Sequence, residues 1–69
     1  MLTATTPHGT WVRQTWHAYQ FIVIGYSKYH QTYVQAGWSK DRKNAEKTAA
    51  RARSYLGLSN VEIFPVDHS

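Results

Sequence analysis

Cysteine is absent from this 69-residue chain, which excludes disulfides and thiolate metal sites. Acid is scarce. Asp41, Glu46, Glu62 and Asp67 are the only four carboxylate side chains, and the first forty residues hold none. No two of them form a close pair for general acid–base work. Long apolar runs are also missing. The longest, Phe21-Ile22-Val23-Ile24, falls far short of the roughly 20 residues that cross a bilayer. No charged-then-apolar leader is visible, so the expectation is a cytoplasmic protein with no membrane partner. His8, His17, His30 and His68 are scattered, with no pair at H-x3-H spacing. Neither a Gly-x-Ser-x-Gly elbow nor a phosphate-cradling glycine loop occurs. So short a chain leaves little room to enclose a substrate pocket of several hundred Å3. The expectation is no enzyme activity, no metal and no cofactor.

What is present is a small basic domain. Eight Lys and Arg give a net charge of +4. Such a balance favours polyanionic partners, here nucleic acid with DNA ranked ahead of RNA, or an acidic protein surface. A soluble domain that is merely basic carries the same charge. A single core in a chain of this size supplies only about 3–5 kcal/mol.

Residues 1–10 are Thr-rich and polar, with Pro7 and Gly9, and read as a flexible N-terminal tail. Residues 11–66 read as one domain and 67–69 as a C-terminal tail. Trp11 to Trp16 is β-rich, and Tyr19 to Tyr26 is the clearest strand, β-branched and aromatic throughout. Ser27 to Gln31 is a polar loop that lacks an Asn-Gly turn signal, and Thr32 to Trp38 is the returning strand. Ser39 and Asp41 are both N-cap candidates for a helix running to Leu56, with Gly57 at the C-terminal cap. Val61 to Val66 is a last strand, which Pro65 places at a sheet edge. The fold class is α+β: a small, mainly antiparallel sheet of three to four strands in β-β-α-β order, with one helix on one face.

At about 100° per residue, Ala45, Ala49, Ala52 and Leu56 share one helix stripe. Small alanines let the helix approach the sheet, and Leu56 is expected to plug the far end. Lys40, Lys43, Lys47 and Arg51 fall on nearly the opposite side with no acid among them. These four are the candidate phosphate contacts, joined by Arg13 and Lys28 if the fold brings them alongside. An ordinary solvated helix face carries the same residue types. Aromatic and basic residues also alternate around the hairpin loop, where Tyr29 and His30 are candidate base-stacking groups.

Strand side chains alternate between faces. Tyr19, Phe21 and Val23 point one way, Ile22, Ile24 and Tyr26 the other, so both faces of the central strand are apolar. One helix covers one face, and the second needs another cover. The choices are a homodimer, a bound partner, or the segment 11–18 folded back. These six residues are the candidate dimer or partner interface.

Gly37-Trp38-Ser39-Lys40 with Lys43 to Ala50 resembles the last helix of double-stranded-RNA-binding domains, in which Ala is followed four residues later by Ala-Ala. Ala45 and Ala49-Ala50 match that spacing, and the resemblance implies a phosphate-binding role for Lys43. Two extra residues separate Ser39 from the match, no first helix precedes it, and a strand follows it. A sheet followed by an Ala-rich helix is also similar to integrase arm-binding DNA modules, except for the final strand. The 37–66 unit as a whole resembles the accessory proteins of tailed bacteriophages, which bind DNA or inhibit a host protein. The functional expectation is a non-enzymatic nucleic-acid-binding protein of low sequence specificity. The alternative is an inhibitor or adaptor that docks on a host protein through its sheet face or edge.

Overall fold

The β-branched run Ile22-Val23-Ile24 forms the central strand of the larger sheet. The computed structural model describes residues 1–68. It contains strands β1 (Leu2–Thr6), β2 (Gly9–Arg13), β3 (Phe21–Ser27) and β4 (Thr32–Ser39), helix α1 (Arg42–Tyr55), and strands β5 (Ser59–Pro65) and β6 (Asp67–His68). They build two three-stranded sheets with the orders β4-β3-β5 and β2-β1-β6, and every pairing is antiparallel. The fold is α+β. Among the described residues no helix is long and apolar enough to cross a membrane.

Helix α1 starts at Asp41. The Asp41 Oδ1 accepts a hydrogen bond from the Asn44 backbone N–H at 2.8 Å, which supplies one of the helix's first donors with a partner. Ser39 ends β4 instead. The helix stops where Gly57 takes φ of 64°, a left-handed conformation that costs glycine little. The Leu56 and Leu58 backbone N–H groups then both donate to the Ala52 carbonyl. The buried helix stripe is Ala45, Ala49 and Ala52, as its periodicity predicts. Leu56 does not plug the end: it is 58% exposed, and Leu58 is buried in its place. The turn at Gly57 ends the helical periodicity, so the residue two positions on reaches the sheet.

Close helix–sheet packing has a measurable cost. Ala49→Leu and Ala52→Leu should each destabilise by about 1–3 kcal/mol through overpacking. Ala50 is exposed, so Ala50→Leu should stay within about 0.5 kcal/mol. Thermal melts of the three variants check the order, and Ala50→Leu as the most damaging would contradict the helix orientation.

Within β3 the alternation holds. Val23 lies in the helix-side core with Ala45 and Ala49, and Phe21 packs against that cluster. Ile22 and Ile24 lie in a second core with Leu2, Ala4 and Val66. Tyr19 precedes the strand and joins this second cluster, not the helix side. Trp11, Tyr33, Trp38 and Phe64 close its margins.

That second core corrects two expectations. Residues 1–10 are not a tail, because β1 and β2 form a hairpin that lies over the open face of the larger sheet. Thr3 and Thr5 alternate with Leu2 and Ala4, and the latter two are buried. The hairpin turn is fastened to the larger sheet. The His8 ring stacks on Tyr33 with centroids 3.8 Å apart, and its Nε2 donates to Glu62 Oε2 at 2.7 Å. Asp67 and His68 pair with β1 and are not a tail, while Ser69 lies outside the described residues. The β-rich stretch beginning at Trp11 ends at Arg13, before Trp16.

The second correction concerns the interface. Ile22, Val23 and Ile24 have no exposed surface within one chain, so they cannot face a partner. Tyr19, Phe21 and Tyr26 are half-buried in the same layers. The folded-back cover exists, but residues 2–13 supply it rather than 11–18, so the apolar face that suggested a homodimer is already sealed.

Candidate nucleic-acid interface

Lys40 follows the last residue of β4, and Lys47 and Arg51 lie on the helix that turns back along that strand. Together with Tyr19, Trp38, Ser39, Asn44 and Thr48 they line an open groove of about 390 Å3. Among the described residues no carboxylate lines it. The nearest acid in sequence, Asp41, is engaged at the helix start, where Oδ2 also accepts from the Asn44 side-chain amide at 3.2 Å.

Two of the other helix cations are occupied. Arg42 pairs with Glu46 at 3.8 Å and sits over the Phe21 ring, and Arg53 donates to the Val61 carbonyl. Among the described residues, Lys40, Lys47 and Arg51 have no ion-pair partner. Three unpaired cations around one concavity raise the local potential for an anion, since low-dielectric walls focus the field.

Lys43 is exposed but does not line the groove. At about 100° per residue it lies roughly 80° beyond Arg51, on the side turned from the sheet, whereas Asn44 and Thr48 lean toward it. Arg13 does not line the groove but packs beside it: its guanidinium carbon lies over the ring of Tyr19, 5.4 Å from the centroid.

Lys28, Tyr29 and His30 are elsewhere. They occupy the β3–β4 turn, and β4 runs from there to Lys40 at its far end. The His30 backbone N–H donates to Ser27 Oγ at 3.4 Å. Tyr29 and His30 line a second, more apolar concavity of about 600 Å3 with Ser27, Val34, Gln35, Leu56 and Leu58. The fold therefore does not bring Lys28 alongside the helix cations, and the hairpin-loop candidates Tyr29 and His30 lie at the other end of the larger sheet.

Sequence reasoning missed the aromatic half of the groove, placing Tyr19 in a dimer interface and leaving Trp38 without a site. Trp38 is held in place by its indole N–H, which donates to Gln35 Oε1 at 2.7 Å. A further row of rings leads outward through the segment between β2 and β3. Tyr19 lies 6.5 Å from Trp38, His17 lies 5.7 Å from Tyr19, and Trp16 stacks on His17 at 4.4 Å. The aromatic spacing Trp16, His17, Tyr19 is visible in the sequence. Its position beside Lys40 and Lys47 depends on the crossover from the hairpin into β3, which no local pattern encodes. No family model, no curated protein and no solved structure matches this chain.

Proposed function

We propose that this is a basic binding protein, not an enzyme, that takes nucleic acid at the α1–β4 groove through backbone phosphates and with little sequence preference. The observation that carries the reading is the groove lined by Lys40, Lys47 and Arg51, with no acid among its described lining residues. Phosphate contact fixes position without reading bases. The acids support a binding role over catalysis. Asp41 caps the helix, Glu46 is paired with Arg42 and Glu62 with His8, and none lines either concavity.

Charge reversal tests the groove. Lys47→Glu combined with Arg51→Glu should weaken binding to every sequence alike, by about tenfold or more for the pair. The log–log salt slope on duplex DNA should flatten by about 0.9 for each phosphate that is no longer neutralised. Both side chains are exposed, so circular dichroism should show an intact fold. A gel-shift titration at two salt concentrations makes the comparison. Unchanged affinity in the folded variant removes the groove from the mechanism.

A protein-binding reading is favoured by one observation, the apolar concavity at the β3–β4 turn, where Tyr29 is 98% and Leu56 is 58% exposed. Both faces of the larger sheet are covered, so docking there would use this end of the molecule or a free strand edge. It predicts no retention on DNA at physiological salt and a stoichiometric protein complex indifferent to the charge reversal.

A further inference from the structure

Trp16 is 89% exposed, a costly place for the largest apolar side chain in the chain. It is also ordered by contact. Its ring lies on His17 at 4.4 Å with only 22° between the planes, which leaves its other face open. The His17 backbone N–H donates to Thr15 Oγ1 at 3.2 Å, so the segment carrying the pair is tied to itself. From this pair the rings of Tyr19 and Trp38 continue into the cationic groove. Arg13 adds a planar cation over Tyr19.

Resting on the nucleic-acid reading of the same groove, we infer that the preferred ligand is single-stranded. Its bases stack on the ring row that begins at Trp16, and its phosphates follow Lys40, Lys47 and Arg51. In a duplex the bases already stack on one another, so an exposed indole finds no π-face to cover. A duplex would engage the cations alone. An unpaired strand offers both groups at once, a flat face for the rings and a charged backbone for the cations. Stacking accepts any base, because every base has a π-face. Low sequence preference and a preference for single strands then follow from one surface. DNA and RNA strands share this chemistry, since no group on the ring row needs to contact the sugar.

The test uses fluorescence anisotropy of labelled oligo(dT), oligo(U) and a duplex of equal length. The wild-type protein should bind a single strand at least about fivefold more tightly than the duplex, the lower end of one stacked base. Trp16→Ala should weaken single-strand binding by roughly 5- to 150-fold, leaving duplex affinity and the salt slope unchanged. Trp16→Phe should recover part of the loss. Lys47→Glu should weaken both ligands. Tighter binding of either oligo(dT) or oligo(U) over the duplex supports the inference. Equal or tighter binding of the duplex, or a silent Trp16→Ala, overturns the single-strand inference and leaves the phosphate groove standing. Failure of the wild-type protein to bind any of the three overturns both. The exposed position of Trp16 keeps the variant folded, and circular dichroism verifies it.

Discussion

Ile24→Ala is expected to leave much of the chain unfolded at room temperature. Ile24 has no exposed surface and lies between the β1–β2 hairpin and the larger sheet, in the core shared with Leu2, Ala4, Ile22 and Val66. Truncation removes its transfer free energy and opens a cavity that two stiff sheets cannot collapse into. Substitutions of this kind cost about 2–5 kcal/mol. A core in a domain of this size supplies only about 3–5 kcal/mol in total. At about 4–8 °C per kcal/mol, the melting temperature should fall by at least about 8 °C. Ile24→Val, which deletes one methyl group, should cost only about 0.5–1.5 kcal/mol. Thermal melts followed by far-ultraviolet circular dichroism decide it. A fall of less than about 4 °C for Ile24→Ala would mean that the hairpin does not seal this face.

Gly25→Val should be comparably severe, for the opposite reason. Gly25 is buried where the β3–β5 register shifts between Ile24 and Tyr26. A Cβ there would stand 2.9 Å from the Leu58 Cβ, 3.0 Å from the Val61 Cγ2 and 3.1 Å from the Leu58 Cδ1. The nearest of these atoms is the root of a buried side chain, which cannot swing aside. Two effects oppose each other even in Gly25→Ala. Removing glycine from a strand gains about 0.5–1 kcal/mol, while overpacking costs about 1–3 kcal/mol. Sterics should win for alanine, and the two further methyl groups of valine deepen the clash. The urea midpoint should fall in both variants, more for valine, at an unchanged slope. An alanine variant as stable as the wild-type protein would show that Leu58 and Val61 yield.

The helix was legible because its signals are local. Asp41, the alanine stripe and Gly57 each act within a few residues, and they set the side turned to the sheet. The two-sided apolar strand announced that a second cover was required. What supplies it was hidden, because Leu2-Thr3-Ala4-Thr5-Thr6 carries a weak signal. Its threonines favour strands, yet Ala4 adds little hydrophobicity while filling a position with no exposed surface. Smallness matters there, and a composition reading treats it as absence of a core residue. That Lys40, Lys47 and Arg51 share one side of the helix was legible for the same local reason, but not that this side borders a groove with β4 or that Lys43 falls outside it. Tyr19 was misplaced because it was counted in phase with β3, although the strand begins only at Phe21. Tyr29 and His30 follow Lys28 directly in sequence, and no sequence neighbourhood reveals that β4 separates them from Lys40.

The pairing of β1 with β6 bears on how the chain acquires its shape. Leu2 meets His68 and Thr3 meets Asp67, so this ladder joins the two most distant stretches of the described chain. The unit from β3 to β5 pairs through nearer neighbours and can gather its helix-side core first. The hairpin must wait for a surface to lie on, and its outer ladder must wait for the final residues. Contacts of such long sequence separation slow the search for the native state. The sealing of Ile22 and Ile24 is therefore expected to come late in folding, and until then the chain would present the apolar surface that its finished form conceals.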